Sequence, residues 1–191
     1  MTSDHIAGIL AFLRSAERLK NVTRTSWTSE GHRESVAEHT WRLCLMALVL
    51  GHELDDVDMA KLMKMCVIHD LGEAIGGDIS ATLQPPEGKA AQERADLLEL
   101  LNPLPRGVQA EIVELWDEYE AAVTPEARIA KALDKLETIM QHNQGRNPAT
   151  FDYDFNLRYG AKYTADHPVI VELRRILDEE TSSRAEAARQ S

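Results

Sequence analysis

Apolar residues recur at three- and four-residue intervals along most of this chain, which is the spacing of amphipathic α-helices. No segment alternates apolar and polar residues strictly enough to predict a strand. The pattern therefore predicts an all-α fold, with one compact helical domain over residues 1–191. The predicted helices cover residues 6–20, 35–52, 56–69, 89–101, 106–122 and 125–142, followed by a short helix after residues 151–155 and a last one after residues 167–168.

Capping and breaking residues mark the ends of several of these helices. Residues 35–38 (SVAE) match a capping box, and residues 124–126 supply an N-cap, a first-turn proline and an early acid. The glycines within residues 72–77 interrupt the helical pattern, and residues 85–88 (PPEG) predict a surface loop. The tail, residues 181–191, lacks large apolar side chains and is expected to fray.

The composition is that of a soluble globular protein, with 43% hydrophobic and 28% charged residues. The longest apolar run, residues 43–50, is far shorter than the ~20 residues that cross a bilayer. The N-terminus shows no basic stretch followed by an apolar block, which is the pattern of a secretory signal. We therefore expect a cytoplasmic protein that does not bind a membrane.

Charge and cysteine content narrow the possible partners. The formal net charge of −11 disfavours a nucleic acid polymer as partner, because no basic stripe compensates for it. The only cysteines, Cys44 and Cys66, both lie in apolar helical segments, which excludes a zinc–cysteine site. A small phosphorylated ligand remains compatible, because one or two well-placed cations and a metal outweigh the global field at short range.

The pair His69-Asp70 is the first candidate for chemistry. It ends the apolar segment 62–68, where a buried carboxylate without a partner would be costly. An imidazole and a carboxylate can both bind a divalent metal. On the preceding helix, His39 shares an apolar stripe with Leu43, so two histidines from consecutive helices face inward. Either histidine alone is typical of a hydrogen-bonded core residue, but together with Asp70 they favour a metal site.

Three further acids are candidates for the same site. Glu73 lies four residues after His69 and near the same face if the helix continues, and Asp78 follows a glycine turn that can return it over the site. A carboxylate beside a metal often positions or deprotonates a water, although surface solvation is the alternative interpretation for both acids. Asp134 is a possible further ligand. Helical periodicity nevertheless places it away from the centre of its apolar face and predicts a solvated side chain.

Four segments of the chain resemble the HD-domain phosphohydrolases, and particularly their 5′-deoxynucleotidase branch. The likeness extends over about residues 9–179 and implies an HD-domain fold with a metal-binding core at about residues 35–142. The segments are residues 19–27 (LKNVTRTSW), 33–39 (RESVAEH), 69–79 (HDLGEAIGGDI) and 114–120 (ELWDEYE).

The resemblance implies a metal site in the family's order of one histidine, a His-Asp pair and a distant aspartate. His39, His69, Asp70 and Asp134 match this order and would bind one divalent transition metal ion. The assignment of Asp134 overrides its periodic position. Two imidazoles and two carboxylates suit Co, Mn, Fe, Ni or Zn, and the ligand set does not choose among them.

The same resemblance implies roles for residues outside the ligand set. Glu73 and Asp78 match the family's acids beside the attacking water and are assigned catalytic roles. Arg24 matches a substrate-binding arginine, and Trp27 the tryptophan that packs against the sugar and disfavours a 2′-hydroxyl. A solvated cation and a hydrophobic anchor are the alternative interpretations of these two. Lys131, one turn before the predicted aspartate ligand, is a candidate phosphate contact.

Together these features predict an enzyme with a small nucleotide substrate, which hydrolyses 2′-deoxyribonucleoside 5′-monophosphates to deoxyribonucleoside and phosphate. The resemblance also implies a homodimer, for which an apolar helix face could serve. One alternative keeps the metal but acts on a phosphodiester or a polyphosphate. The chain lacks a second histidine set for a binuclear site and the Gly-Tyr-Pro signature of the cyclic-dinucleotide branch. The other alternative is a non-catalytic binding module stabilised by metal, which the presence of Glu73 and Asp78 disfavours.

Overall fold

A computed structural model of the chain describes residues 2–79 and 88–190, most of which are helical. The all-α class predicted from the sequence is confirmed, whereas the loop predicted at residues 85–88 lies outside the described residues except for its last glycine. No helix within the described ranges is both long and apolar enough to cross a membrane. The helices are α1 (Ser3–Ala16), α2 (Val36–Leu50), α3 (Met59–Ile68), α4 (Glu73–Gly76), α5 (Lys89–Leu101), α6 (Arg106–Ala121), α7 (Pro125–Gln144), α8 (Tyr153–Asn156) and α9 (Pro168–Arg189).

A two-stranded antiparallel sheet connects α1 to α2, so the prediction that the chain has no strands is wrong there. Strand β1 (Thr23–Trp27) pairs with β2 (Arg33–Ser35), and Thr23 lies opposite Ser35. Strands of five and three residues are too short to show a clear alternation in the sequence. The sheet matters for function because β1 carries Arg24 towards the centre of the molecule.

Side-chain caps begin the helices that carry the candidate site. The Ser35 hydroxyl accepts the Glu38 N–H at 3.2 Å, and the Glu38 carboxylate accepts the Ser35 N–H at 2.7 Å, which confirms the capping box of α2. Thr124 caps α7 as predicted. Helix α3 begins at Met59, later than expected, because the Asp58 carboxylate accepts two backbone N–H groups of its first turn.

Helix α7 lies at the centre of the fold and packs against α2, α3, α6 and α9. Fifteen of its 20 residues are buried, among them Leu133, Leu136 and Ile139. An amphipathic pattern assumes one solvent face, and α7 has almost none. The periodic prediction of a solvated Asp134 is therefore wrong, since this side chain is buried together with the apolar ones.

Two glycines fix the short helix α4 against α5. A Cβ atom on Gly72 would lie only 2.7 Å from the Glu93 carbonyl oxygen, and one on Gly76 would overlap the Asp96 carboxylate. Only glycine permits the close approach of the α5 backbone at Gly72 and of the Asp96 side chain at Gly76. Because Glu73 lies between these glycines, the packing of α4 on α5 holds the Glu73 backbone in place.

Helix α9 continues to Arg189, whereas the sequence predicted fraying over residues 181–191. Thr181 is fully buried, and its hydroxyl contacts the Leu177 carbonyl oxygen at 2.8 Å and Asn143 Oδ1 at 2.9 Å. Small side chains replace large apolar ones at this contact because α9 packs closely on α7. The buried Thr181 thereby holds the last turns of α9 against α7, a contact that the hydropathy of the sequence does not predict.

Candidate metal centre and active site

The four residues assigned to a metal come from three helical segments. The donor atoms of His39, His69 and Asp70 lie within 4.8 Å of one another, and Asp134 lies beside His39. His39 Nε2 lies 3.3 Å from Asp134 Oδ1 and 3.9 Å from Asp70 Oδ2. His69 Nε2 lies 3.0 Å from the same Asp70 oxygen. Both histidines and Asp134 are buried, while the Asp70 side chain is 19% exposed. The cluster is therefore closed on the protein side and open beside Asp70.

The protonation pattern of the two histidines fits a divalent metal. Nδ1 of His39 contacts the Glu137 carboxylate, and Nδ1 of His69 contacts the Cys66 carbonyl oxygen at 2.9 Å. Both partners are acceptors, so in the neutral form of each ring Nδ1 carries the proton and Nε2 presents a lone pair that a metal could use. Within the described parts of the chain, neither Nε2 atom has a hydrogen-bond partner. Two free imidazole nitrogens beside two carboxylates are a donor set that transition metals prefer.

A buried ion-pair network contacts Nδ1 of His39, the ring nitrogen that points away from the candidate metal ligands. Glu137 is fully buried and accepts hydrogen bonds from His39 and, at 2.6 Å, from Arg42 Nε. A second carboxylate, Glu34, lies 3.8 Å from Arg42 and 3.4 Å from Arg24. Burial and the charge on Glu137 raise the pKa of Glu34 to about 7. Sequence reasoning missed Glu137, because its partner His39 is 98 residues away in the chain.

Helix α6 positions two of the candidate ligands. Trp116 Nε1 donates to the His69 carbonyl oxygen at 3.1 Å, and the Tyr119 hydroxyl donates to Asp134 Oδ2 at 3.0 Å. Lys135 Nζ donates to the same Asp134 oxygen at 2.8 Å. The segment 114–120, noted in the sequence only for its resemblance, therefore supplies hydrogen bonds that orient the cluster.

A cavity of about 360 Å³ opens beside the cluster. Asp70 and Asp134 line it, as do Glu73 and Asp78. Burial, followed by repulsion from Asp70 and Asp78, raises the pKa of Glu73 to about 10. Burial also raises the pKa of Asp78. The structure thus brings both candidate catalytic acids to the wall of the same cavity, in surroundings that favour their protonated forms when no metal is bound.

Cationic side chains of the cavity wall face the acids. Arg24 Nη1 lies 3.5 Å from Asp70 Oδ2, and Arg24 Nη2 donates to the Thr138 hydroxyl at 3.0 Å. The Arg24 side chain is 11% exposed, so its guanidinium is held between the cluster and the cavity. Lys135 and Lys89 also line the cavity. The site therefore combines metal-binding groups, acids and cations, which is a composition suited to a phosphate ester.

Comparison with known proteins identifies the family. An HD domain profile matches residues 16–174. The chain belongs to the HD domain family. It is 34% identical to the human protein named 5′-deoxynucleotidase HDDC2, over 94% of this chain and 89% of that protein. The corresponding protein of Bos taurus is 35% identical, over 92% of this chain and 86% of the relative.

A solved structure supports the same assignment. The crystal structure of a predicted metal-dependent phosphohydrolase from Magnetospirillum magnetotacticum MS-1 superposes with a TM-score of 0.79 at 29% sequence identity. The superposition covers 95% of this chain and 94% of the other. The HD domain explains why the candidate ligands lie far apart in the sequence. The fold brings together His39, the pair His69-Asp70 and the distant Asp134.

Two residues assigned to the substrate lie elsewhere in this HD domain. Lys131 does not line the cavity; its Nζ contacts Glu120 at 2.7 Å and lies 4.1 Å from the centre of the Tyr119 ring. Lys135, one turn later on α7, occupies the position expected of Lys131 in the cavity wall. Trp27 is also absent from the wall, and the Arg33 guanidinium lies 5.6 Å from its ring centre. Lys131 contacts Glu120 and Tyr119, and Trp27 contacts Arg33, and the sequence pattern does not identify these neighbours.

Proposed function

We propose that this protein hydrolyses 2′-deoxyribonucleoside 5′-monophosphates to deoxyribonucleosides and inorganic phosphate, with one divalent metal ion as cofactor. The observation that carries the proposal is the convergence of His39, His69, Asp70 and Asp134 beside a cavity that also holds acids and cations. The names of the human and bovine relatives support the same reaction and substrate class.

The two histidines and two aspartates would hold the divalent ion. It would supply positive charge beside the phosphoryl group and the attacking water, and this charge would oppose the burial and repulsion that raise the pKa of Glu73. Arg24 and Lys135 provide hydrogen-bond donors at the cavity wall, where they bind the phosphate oxygens.

Two acids divide the proton transfers. Glu73 would orient the attacking water and accept its proton once a bound metal lowers its raised pKa, and its buried Oε2 atom, without a hydrogen-bond partner among the described residues, is free for that water. Asp78 donates a proton to the leaving 5′-oxygen, a role that its raised pKa favours. The phosphorus–oxygen bond to the nucleoside breaks, and the water oxygen remains on phosphate.

The test is phosphate release by metal-free protein reconstituted with Mn, Co, Fe, Ni or Zn in turn. Deoxy and ribo monophosphates, a phosphodiester and a deoxynucleoside triphosphate serve as substrates. We expect release from the deoxy monophosphates, and a loss of about 10²- to 10⁴-fold in kcat for Glu73→Gln with its metal content intact. The exposed Glu30→Gln is the matched control. Equal background release by wild type and Glu73→Gln with every metal would instead identify a binding module, and preferred cleavage of the diester or triphosphate would assign another reaction.

We also propose that the protein is a cytoplasmic homodimer. Helix α2 exposes an apolar stripe at helical spacing, formed by Trp41, Leu45, Leu48 and Val49, which are 66%, 40%, 63% and 68% exposed. A contiguous apolar face of this kind is typical of a protein–protein contact. Both cysteines are unpaired, which is consistent with a reducing compartment. Sedimentation of the purified protein tests the dimer, and microscopy of the tagged protein tests the location.

A further inference from the structure

The proposed chemistry does not use the end of the cavity at His142. This residue follows Lys135 and Thr138 of the cavity wall at intervals of three and four residues, so the three side chains form one stripe along α7. From Asp134 to His142 the helix rises about 12 Å. A phosphate held at the metal cluster therefore leaves the end at His142 to the part of the nucleotide farthest from the phosphate, which is the base.

His142 presents an unused hydrogen-bonding atom there. The residue is 5% exposed, and its Nδ1 atom lies 2.9 Å from the Asn156 amide oxygen. An amide oxygen only accepts, so Nδ1 carries the proton and Nε2 carries the lone pair. Nε2 is buried and has no partner among the residues that the structure describes. A buried acceptor without a partner is costly, and such atoms in a cavity wall mark places where a ligand completes the bond.

Aromatic rings that line the same cavity indicate the shape of the ligand. The Phe151 ring packs edge-on against His142, with 4.8 Å between ring centres. Phe155 also lines the cavity and packs against Tyr159 at 5.2 Å. Flat apolar surfaces next to one hydrogen-bond acceptor match a heteroaromatic base, which offers a ring face and N–H donors on its edge. Burial lowers the pKa of His142, so at neutral pH the imidazole is uncharged and does not attract a second phosphate group.

We propose that His142, Phe151 and Phe155 form a nucleobase subsite, in which His142 Nε2 accepts a hydrogen bond from an N–H group on the edge of the base. The proposal rests on the proposed function, because that function places the phosphate at the other end of the cavity. It identifies His142 as a residue that contacts the substrate but takes no part in the chemistry.

A substrate without a base distinguishes a contact between His142 and the base from a role of His142 in folding or in the chemical step. We would measure kcat and KM for the four common deoxynucleoside 5′-monophosphates and for 2-deoxyribose 5-phosphate, with wild type, His142→Ala and the control His52→Ala. His52 is exposed and does not line the cavity. For His142→Ala we expect KM to rise about 3- to 10-fold for the nucleotides, as for the loss of one neutral hydrogen bond, and to stay unchanged for the sugar phosphate. The kcat values should stay within about twofold.

Further measurements keep the proposal falsifiable if His142→Ala folds poorly. His142→Gln retains an acceptor and should keep more of the preference for nucleotides than His142→Ala, with the melting temperatures of both recorded. In wild type alone, equal KM values for nucleotides and for the sugar phosphate would overturn the subsite. So would a loss of both substrates to the same degree in His142→Ala. If wild type hydrolyses none of these esters, the proposed function fails, and calorimetric binding of free deoxynucleosides by wild type and variants then decides on the subsite separately.

Discussion

Replacing Glu137 by Gln tests whether the network behind the cluster controls metal binding. Glu137 uses one carboxylate oxygen for Nδ1 of His39 and the other for Arg42, and both contacts are donated to it. Gln offers a single acceptor oxygen to these two donors. If that oxygen turns to Arg42, the amide N–H faces Nδ1 of His39 and moves the imidazole proton to Nε2. The proton then occupies the atom that the metal needs.

The size of the effect follows from these contacts. Loss of a partner that orients a metal-binding histidine lowers metal affinity about 10- to 100-fold, or about 1.4 to 2.7 kcal/mol. In the metal-free protein the acceptor facing Arg42 also changes from a charged carboxylate to a neutral amide, which loses part of the about 1.5 to 3 kcal/mol that a hydrogen bond to a charged group contributes. Arg42 is 19% exposed and has Glu34 at 3.8 Å as a second partner, so we expect a loss near the lower end of that range.

The assay is calorimetric metal titration against a competing chelator, together with urea unfolding of the metal-free protein. The exposed Glu99→Gln on α5 is the matched control and should behave as wild type. At saturating metal, Glu137→Gln should recover most of the wild-type kcat, because Glu137 does not line the cavity. A variant that binds metal within about twofold of wild-type affinity would refute the orienting role assigned here.

Three further substitutions address separate parts of the molecule. Asp70→Asn should lose metal and activity together while remaining folded, and metal analysis of the purified variant that found full occupancy would contradict the ligand assignment. Lys135→Met should raise KM for the nucleotide about 3- to 10-fold more than Lys131→Met does, because of these two lysines only Lys135 lines the cavity. Steady-state kinetics that showed equal effects would contradict a role of Lys135 in phosphate binding. Leu48→Glu should yield a monomer in sedimentation equilibrium without a change in unfolding free energy, because Leu48 is 63% exposed; a persisting dimer would place the interface elsewhere.

Local signals in the sequence predicted much of the fold. Serine and threonine caps begin α2 and α7 where expected, because capping depends on residues within one turn of each other. The sheet formed by β1 and β2 was missed, since pairing of such short strands depends on the turn and on contacts outside them. The anchoring of residues 181–189 was missed for a similar reason, because Thr181 is held by Asn143 of another helix.

In the candidate site too, residues whose position depends on their own helix were predicted, whereas residues that depend on distant partners were missed. His39 and His69 lie on apolar stripes and were predicted to face inward, as they do. Asp134 required the resemblance to the family, because α7 is covered on nearly all sides and periodicity assumes one exposed face. Glu137 gave no signal at all, since its function depends on partners from α2 that the sequence does not place beside it.

Charge pairing in the cluster indicates that metal removal should abolish activity without collapsing the cavity. Burial raises the pKa of Asp70, but the contact with His69 has the larger effect and leaves this pKa below its usual range. Lys135 likewise holds the pKa of Asp134 well below its usual range despite burial. Both candidate ligand carboxylates are therefore ionised before a metal binds, with Lys135 2.8 Å from Asp134 and Arg24 3.5 Å from Asp70, which is the preorganisation that electrostatic catalysis requires. Chelated protein should keep its circular dichroism spectrum and lose phosphate release, with a melting temperature lowered only by the linkage term for metal binding. Unfolding on chelation would show that the metal, and not the chain's ion pairs, holds these helices together.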